Sequence, residues 1–307
     1  MATMHSVTRS SICMDTVITV QCVSSHSRET IVAGIERAFT AFRSVETACS
    51  RFDENSELRR LSLKPGVAQP VSAVLFEALR FARQLAETTE GVFDPTVGEL
   101  LERKGFARHY LTGCTPPPLP FPSTPVSYRD FTLDEQDRTV TLWKPLLLDL
   151  GAVAKGLAVD WANKELEGHE GYLINAGGDL LAHGYNELGN PWRIGIRHPH
   201  QPGQQIRTLQ ISDMAVCTSG SYERRSPSDD STHHLLDPYT EASSQELLSC
   251  TVVAPYAMLA DGLSTAVFLL GQKRGLQLLE TMNIEGLVIS SAQDIATTTQ
   301  MRRFLYE

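Results

Sequence analysis

Three stretches of this chain carry residue types at spacings that could do chemistry. The first is LLLDLGAVAKGLAVDWANKEL, residues 146–166, in which an apolar run ends at Asp149, turns at Gly151 and continues as a helical pattern with Lys155. An acid and a lysine around a glycine turn can form a salt bridge and cap the helix, or they can hold a phosphorylated ligand. The pattern alone leaves both interpretations open.

The second stretch is ADGLSTAVFLLG, residues 260–271, which has helical spacing and places Asp261 and Thr265 four residues apart. Residues i and i+4 lie on one helix face, one turn apart. A carboxylate and a hydroxyl on one face suit a hard cation such as Mg²⁺, which takes few protein ligands. A simple Asp–Thr pair near the start of a helix is the competing interpretation, and the residues by themselves favour it.

The third stretch is THHLLDP, residues 232–238, which contains adjacent histidines. A histidine beside a polar segment can act as a general base. His233 and His234 point in different directions because they are neighbours, so at most one of them acts. An exposed polar loop that leads into an Asp-Pro turn explains the same residues equally well.

Three other motifs favour a structural role. NAGGDLLAHG (175–184) lies between strand patterns, so we favour a hairpin turn over a close approach of the backbone to a ligand. In GVFDPTVGEL (91–100), Phe93 and Asp94 could line a pocket, but a rigid Asp-Pro turn suffices. CTSGSYERR (217–225) lacks the Gly-x-Ser-x-Gly pattern, and we discount a serine nucleophile there.

Hydrophobic periodicity identifies the elements that must position these residues. Strand patterns occur at 16–23, 128–133, 138–142, 145–150, 171–175, 192–197, 205–211 and 214–218. Helical patterns occur at 28–48, 72–89, 152–167 and 256–282, the last broken at Gly271. Helices and strands are interspersed without regular βαβ alternation, so we predict an α+β fold of mixed sheets and packed helices in a single domain, residues 1–307.

Two segments are predicted to be surface connections. TGCTPPPLPFPSTP, residues 112–125, contains six prolines and can form neither a helix nor a central strand. RRSPSDDSTHH, residues 224–234, is polar and has no periodic pattern. We expect a mobile loop there.

Composition excludes broad classes of function. The chain has 307 residues and a formal net charge of −9, which does not fit a nucleic-acid-binding surface. No window approaches the ~20 apolar residues of a membrane span, and the N-terminus has no signal-peptide core. The six cysteines have no metal-binding or paired spacing, which indicates reduced thiols. We therefore expect a cytoplasmic protein.

Eight segments, taken in order, resemble the ApbE family of FAD:protein FMN transferases. They are MDTVITV (14–20), SRFDENSELRRLS (50–62), TEGVFDPTVGEL (89–100), LLLDLGAVAKGLAVDWA (146–162), YLINAGGDLLAHG (172–184), AVCTSGSYERR (215–225), HLLDPYT (234–240) and ADGLSTAVFLLG (260–271). They run in family order over nearly the whole chain. One such match would be weak, but eight in order are specific.

The resemblance implies a reaction. The enzyme would bind FAD and a divalent metal, Mg²⁺ or Mn²⁺, and move the FMN half of FAD onto a Ser or Thr hydroxyl of an acceptor protein, with release of AMP. The acceptor would carry a motif of the type Asp-x-x-Ser/Thr-Gly/Ser-Ala/Ser-Ser/Thr. Catalysis of this step requires deprotonation of the hydroxyl and neutralisation of charge on the phosphate oxygens.

The resemblance also implies roles for individual residues. The metal ligands would be Asp261, Thr265 and the backbone carbonyl of Ala152, and His234 would be the general base. The residues that match family contacts to FAD are Met14, Phe52, Val92, Phe93, Asp94, Asp149, Lys155 and Leu235.

The chain departs from the family pattern at several positions. Ser264 stands where some relatives carry an additional acid, and Asp15 stands where many have Gly. Glu241 replaces the usual Gly after Asp-Pro-x-Thr, so we expect the backbone of that turn to differ in shape. The proline-rich segment 112–125 looks specific to this chain.

Two other functions remain open beside the transferase. An FAD pyrophosphatase would use the same metal and FAD site with water in place of the acceptor hydroxyl. A flavin-binding carrier without turnover would need neither the metal nor the base. DGLSTAV, residues 261–267, faintly resembles the acceptor motif, but Val267 breaks it, and we reject self-modification.

Overall fold

The computed structural model describes residues 3–109, 111–119, 125–201, 203–227 and 229–306. The chain divides into two compact units, each assembled from segments that are distant in sequence. Unit 1 comprises Met1–Arg43, Lys155–Gly220 and Gln245–Glu307, and unit 2 comprises Ser44–Ala154 and Ser221–Ser244. The single-domain assignment stays a prediction.

Helices and strands are mixed along the chain. The α-helices are α1 (Arg28–Cys49), α2 (Glu57–Leu61), α3 (Ala73–Thr88), α4 (Gly98–Leu101), α5 (Ala154–Glu165) and α6 (Ala257–Met282). The strands are β1 (His5–Cys13), β2 (Thr16–Ser24), β3 (Gln69–Pro70), β4 (Phe131–Asp134), β5 (Thr139–Leu142), β6 (Gly171–Ala176), β7 (Asp179–Gly184), β8 (Trp192–Arg197), β9 (Gln205–Ile211), β10 (Met214–Gly220), β11 (Arg225–Ser226), β12 (Asp229–His233), β13 (Leu236–Asp237), β14 (Ala242–Ser243), β15 (Leu247–Ala254), β16 (Glu285–Ser290) and β17 (Ile295–Thr297). The predicted α+β class is confirmed.

Unit 1 is built on an antiparallel sheet with the strand order β1-β2-β6-β7-β10-β15-β16-β17. Helix α6 packs against β10 and β15 near the middle of this sheet. The β8–β9 hairpin joins an apolar cluster with sheet residues, in which Trp192, Ile194 and Leu209 meet Val216 and Val253. The inward side chains of β8 alternate with exposed ones, as expected for a strand that is buried on one face.

Helix α6 is interrupted at Gly271, as the sequence predicts. Gly271 has φ +78°, and a Cβ at this position would lie 2.2 Å from the Glu246 carboxylate. That carboxylate accepts a hydrogen bond of 2.8 Å from the N–H of Gln272, which starts the second part of the helix. Only glycine allows both the left-handed conformation and this close approach.

Unit 2 contains a sheet with the order β3-β5-β4 and the two-stranded sheets β11–β12 and β13–β14. The loop predicted at 224–234 is wrong, because β11 and β12 pair there. In the proline-rich segment, residues 112–119 form no helix or strand, and residues 120–124 lie outside the described residues. None of the helices in the described part of the chain is both long and apolar enough to cross a membrane.

The strand predicted at 145–150 is also wrong. Its leucines are buried, but its main chain forms no ladder with another strand. Instead, Leu147 O accepts from Gly98 N at 3.1 Å, and Asp149 N donates to Pro95 O at 2.8 Å. An apolar run indicates burial but does not indicate which groups form hydrogen bonds with its backbone. Here a neighbouring turn supplies those partners.

The other predicted helices and strands are observed close to their predicted positions, and one of these predictions is partly wrong. The four predicted helices end within about two residues of the observed bounds, the usual uncertainty of helix ends. Residues 128–130 of the strand predicted at 128–133 form a 3₁₀ turn, and β4 starts only at Phe131. Among the strands in the described part of the chain, β1, β3, β7 and β11–β17 have no counterpart among the predicted strands.

Candidate active site

The start of α6 is held against α5 in unit 1. The carboxylate of Asp160 accepts hydrogen bonds from the N–H groups of Ala257 at 2.7 Å and Met258 at 2.9 Å. A Cβ on Gly156 would lie 2.4 Å from Ala257 O, so glycine is required for this approach. An acid at a helix N-terminus satisfies unpaired N–H groups and complements the helix dipole. The first turns of α6, which carry Asp261, are therefore fixed in position.

Asp261 is a buried carboxylate, 3% exposed, with two partners on α5. Its Oδ2 accepts a hydrogen bond of 3.0 Å from Gly156 N, and its Oδ1 lies 3.9 Å from Lys155 Nζ. Burial raises the pKa of Asp261, while Lys155 and the Gly156 N–H act in the opposite direction.

Lys155 lies between two buried carboxylates. Its ammonium donates a hydrogen bond to Asp179 Oδ2, in addition to its contact with Asp261. Asp179, 2% exposed, is the first residue of β7 and follows the Gly177–Gly178 turn. Our sequence interpretation assigned no role to Asp179, although it is the only acid in NAGGDLLAHG. Two carboxylates and one ammonium leave a local charge of minus one when both acids are ionised.

Hydroxyl groups complete this cluster. Thr265 lies one turn beyond Asp261 on the same face of α6, as its spacing predicts. Ser219 of β10 places its Oγ 2.9 Å from Thr265 Oγ1 and 2.7 Å from Ser264 Oγ. Sequence reasoning considered Ser219 only as a nucleophile and missed these contacts.

The donors of this cluster fit a hard divalent cation. A carboxylate and a hydroxyl supply oxygen, and the local charge is negative. In the described part of the chain, no three His, Cys, Asp or Glu side chains gather in a metal-binding group. The predicted set of metal ligands accordingly contains one carboxylate, one hydroxyl and one main-chain carbonyl. Ala152, whose carbonyl is the third predicted ligand, lies in the turn before α5 and belongs to unit 2, so its participation stays a prediction.

Replacing Lys155 with Met should destabilise the protein. The change leaves Asp179 and Asp261 buried without their cation, and removing one partner of a buried ion pair costs about 3–5 kcal/mol. We expect about 2–3 kcal/mol, measured by urea unfolding, because a quarter of the Lys155 side chain is exposed. The double variant Lys155→Met/Asp179→Asn should recover part of this loss. A single variant as stable as the parent would contradict the assigned pairing.

Asp149 in unit 2 pairs with an arginine. Its Oδ2 accepts from Arg51 Nε at 2.5 Å, and its Oδ1 accepts from Gly151 N at 2.9 Å. Arg51 is buried and also donates to Phe106 O at 2.7 Å. Thus both oxygens of Asp149 hold the glycine turn and a buried guanidinium. The sequence offered no signal that Arg51 is the partner.

Phe52, a predicted flavin contact, lies between two protein groups. The guanidinium of Arg51 lies over its ring at 4.1 Å, and the ring of His109 meets it edge-on at 5.7 Å. These contacts fix the orientation of a half-buried aromatic ring.

The Val92–Phe93–Asp94 run forms a tightly bonded turn after α3. Asp94 is buried and accepts hydrogen bonds from Thr96 N at 2.9 Å, Thr96 Oγ1 at 2.7 Å and Tyr128 N at 2.8 Å. Burial raises its pKa against the opposing effect of these hydrogen bonds. Phe93 is buried and Val92 is half-buried. The Asp-Pro turn predicted for this motif is observed.

The adjacent histidines have different surroundings. His233 is 3% exposed, its Nδ1 accepts from Leu235 N at 3.3 Å, and its Nε2 lies 2.8 Å from Ser244 O. An Nδ1 that accepts leaves the proton on Nε2, which then donates to that carbonyl. Burial also lowers the pKa of His233, which favours the neutral ring. Both ring nitrogens of His233 therefore contact main-chain groups.

His234 is half-buried. Its Nδ1 lies 3.3 Å from Arg224 O, and its ring meets Phe106 edge-on at 6.4 Å. Leu235, which follows it, is buried. A carbonyl next to Nδ1 favours the tautomer with the proton on Nδ1, and Nε2 then carries the basic lone pair.

Asp15 and Glu241, two positions at which the chain departs from the family pattern, lie in turns and have positive φ. Met14 (φ +53°) and Asp15 (φ +61°) form the two-residue connection between β1 and β2, in which both residues adopt positive φ. Glu241 also has positive φ, at +53°, and pairs with Arg103 at 3.1 Å. Both positions require a conformation that glycine adopts without strain. A strained methionine in such a turn is the kind of outlier that marks functional sites.

Comparisons with known proteins identify the family of this chain. Residues 14–288 match the model of the ApbE family. The chain is 32% identical over 255 residues to an FAD:protein FMN transferase of Haemophilus influenzae. The aligned region covers 79% of this chain and 74% of that protein. It is 30% identical over 311 residues to an FAD:protein FMN transferase of Treponema pallidum. Here the aligned region covers 94% of this chain and 85% of that protein.

Solved structures show the same fold. The ApbE protein from Thermotoga maritima superimposes with a TM-score of 0.86 at 27% identity, over 99% of this chain and 100% of the other. The flavin transferase ApbE from Vibrio cholerae gives a TM-score of 0.83 at 26% identity, also over 99% of this chain and 100% of the other. Because the family match extends over most of the sequence and whole-chain structures share the fold, this chain belongs to the ApbE family.

Proposed function

We propose that this chain is an FAD:protein FMN transferase, which moves FMN from FAD onto a Ser or Thr hydroxyl of an acceptor protein and releases AMP. The observation that carries the proposal is the buried cluster of Asp261, Thr265 and Lys155 at the start of α6. It supplies hard oxygen ligands for a cation and an ammonium for phosphate in a protein of this family.

In this proposal, Asp261 and Thr265 hold the cation, together with the carbonyl of Ala152. When bound, Mg²⁺ or Mn²⁺ would supply positive charge for the pyrophosphate oxygens. Lys155 donates one hydrogen bond to Asp179, and an ammonium has three donors, so it can also donate to a phosphate oxygen. Asp179 would then orient Lys155 without removing it from the site.

His234 is the proposed general base. The Arg224 carbonyl orients the ring, and Nε2 would take the proton of the acceptor hydroxyl. The acceptor oxygen forms a bond to the FMN phosphorus, the bond from that phosphorus to the bridging oxygen breaks, and AMP leaves with that oxygen. His233 is unsuited to this role, because its two nitrogens bond to the main chain.

The remaining predicted FAD contacts divide into two kinds. The first kind has apolar or aromatic side chains and comprises Met14, Phe52, Val92, Phe93 and Leu235, of which Phe93 and Leu235 are buried in this structure. Asp94 and Asp149 already use their carboxylates inside the protein. We propose that these two acids shape the loops that meet FAD, since additional free carboxylates would repel its phosphates.

The acceptor is proposed to carry the Asp-x-x-Ser/Thr-Gly/Ser-Ala/Ser-Ser/Thr motif. The cytoplasmic location expected from the sequence also stays a prediction.

Mass measurement of an acceptor tests this function. The protein would be incubated with FAD, Mg²⁺ and a small acceptor domain that carries the motif, with a control acceptor in which Ala replaces the modified residue. We expect the acceptor to gain the mass of an FMN group with one AMP released per transfer, and the control to remain unmodified. Free FMN and AMP without acceptor modification would identify a pyrophosphatase. Tight FAD binding without AMP release would identify a carrier.

A further inference from the structure

We propose that Ser219 is a positioning residue that turns the hydroxyl hydrogen of Thr265 away from the cation. The hydroxyl groups form a one-way chain in which Thr265 donates to Ser219, Ser219 donates to Ser264, and Ser264 donates to the carbonyl of Asp261. This inference rests on the proposed function in that it takes Thr265 as a metal ligand.

The direction of the chain follows from counting hydrogens. Ser264 Oγ donates to Asp261 O at 2.9 Å, and a serine hydroxyl has only one hydrogen. In its 2.7 Å contact with Ser219, Ser264 must therefore accept. Ser219 has then used its own hydrogen and accepts in its 2.9 Å contact with Thr265. The hydrogen of Thr265 thus points to Ser219.

The orientation matters because a cation needs an oxygen lone pair. A hydroxyl that turns its hydrogen toward the metal presents the positive end of its dipole and repels it. Thr side chains in helices often donate to the carbonyl four residues earlier, which for Thr265 is that of Asp261. Ser264 already donates to this carbonyl, so Ser219 provides the acceptor that Thr265 would otherwise lack.

The sheet holds Ser219 in place. It lies in β10, where it is opposite Cys250 of β15, and α6 packs against both strands. Ser264 is fully buried and Thr265 is 7% exposed, so water has little access to replace a lost hydroxyl. A hydroxyl on a rigid strand can therefore set the orientation of a ligand on a helix.

The test measures binding of Mn²⁺ itself by titration of the folded protein, with free Mn²⁺ followed by electron paramagnetic resonance. Loss of a residue that orients a metal ligand typically weakens metal binding by 10–100-fold. We expect Ser219→Ala to raise the Kd for Mn²⁺ by about 10-fold. Ser219→Thr, which keeps the hydroxyl, should restore most of the affinity. FAD affinity without metal should remain unchanged in both.

A second variant separates direction from packing. Ser264→Ala keeps the Ser219–Thr265 contact but removes the acceptor for Ser219, which can then donate to Thr265 and reverse the chain. We expect a raised Kd for Mn²⁺ here as well. In a Thr265→Val background, Ser219→Ala should have no further effect, because the oriented group is gone.

Several outcomes would overturn the proposal. The proposal is wrong if Ser219→Ala or Ser264→Ala binds Mn²⁺ as tightly as the unaltered protein. It is also wrong if Ser219→Ala and Ser219→Thr lose Mn²⁺ affinity equally, or if the unaltered protein does not bind Mn²⁺. The proposed function fails separately, if Mn²⁺ binds as described but no acceptor gains FMN. If Ser219→Ala does not fold, Ser264→Ala decides the question.

Discussion

Asp261→Asn is expected to lower metal-dependent FMN transfer by at least about 10²-fold. A metal ion contributes several kcal/mol to stabilisation of the transition state, and each 1.36 kcal/mol corresponds to a factor of ten in rate. Asn keeps the size of the side chain and an oxygen that can accept from Gly156 N. It removes the negative charge that, in the proposed function, would hold the cation. The measurement is the initial rate of acceptor flavinylation as a function of Mg²⁺ concentration. FAD binding without metal should weaken much less.

Stability provides an internal check on this prediction. Asp261 is a buried carboxylate whose pKa is raised by burial, and Lys155 keeps Asp179 as a partner when the charge at 261 is removed. We therefore expect the free energy of unfolding of Asp261→Asn to rise, or to change by less than about 1 kcal/mol. Replacing a functional residue often stabilises a protein, because such residues are kept for activity and not for stability. Asp160→Asn is the matched control, because Asp160 caps the same helix through main-chain contacts. It should lose stability and retain transfer. Full activity of Asp261→Asn would refute the metal assignment.

His234→Ala should reduce kcat for transfer by about 10²–10⁴-fold, the usual contribution of a general base. The affinity for FAD should change little, because the base acts on the acceptor hydroxyl. The fall of kcat toward acidic pH, which reports protonation of an essential base, should disappear in the variant. Single-turnover rates of acceptor flavinylation over a range of pH measure both effects.

His233→Ala is the control that distinguishes the two histidines. Removal of His233 leaves Leu235 N–H and Ser244 C=O without their partner, so we expect a loss of about 1–3 kcal/mol in the free energy of unfolding. The folded fraction should still transfer FMN. If His233→Ala rather than His234→Ala abolished transfer in folded protein, the assignment of the base would be reversed.

Local features of the fold were predictable because their causes are local. The long helices follow from apolar residues at helical spacing, and the break in α6 follows from a glycine that adopts φ +78°. The turn after α3 follows from Asp-Pro. The strand predicted at 145–150 is wrong for the opposite reason, because the cause of its structure is not local. A buried apolar run indicates that the segment lies inside, but the partner of its backbone depends on a turn some 50 residues earlier in the chain.

The partners of the charged residues were not predictable from spacing. Lys155 pairs with Asp179, 24 residues away, and Asp149 pairs with Arg51, 98 residues away. Each of these two members of the first motif therefore has a partner that is distant in the sequence. Ser219 meets Thr265 across 46 residues, and nothing in CTSGSYERR marks it.

The sequence by itself determined the family, the α+β class and the identity of Asp261, Thr265, Lys155 and His234 as candidates, because ordered motifs and helical spacing are properties of the chain alone. The tertiary structure decided which side chains satisfy one another. It brings His233 Nε2 within 2.8 Å of the Ser244 carbonyl, joins Lys155 to Asp179, and places Ser219 Oγ 2.9 Å from Thr265 Oγ1. The physical reason is that a buried polar group must find a hydrogen-bond partner, and folding determines which one is within reach.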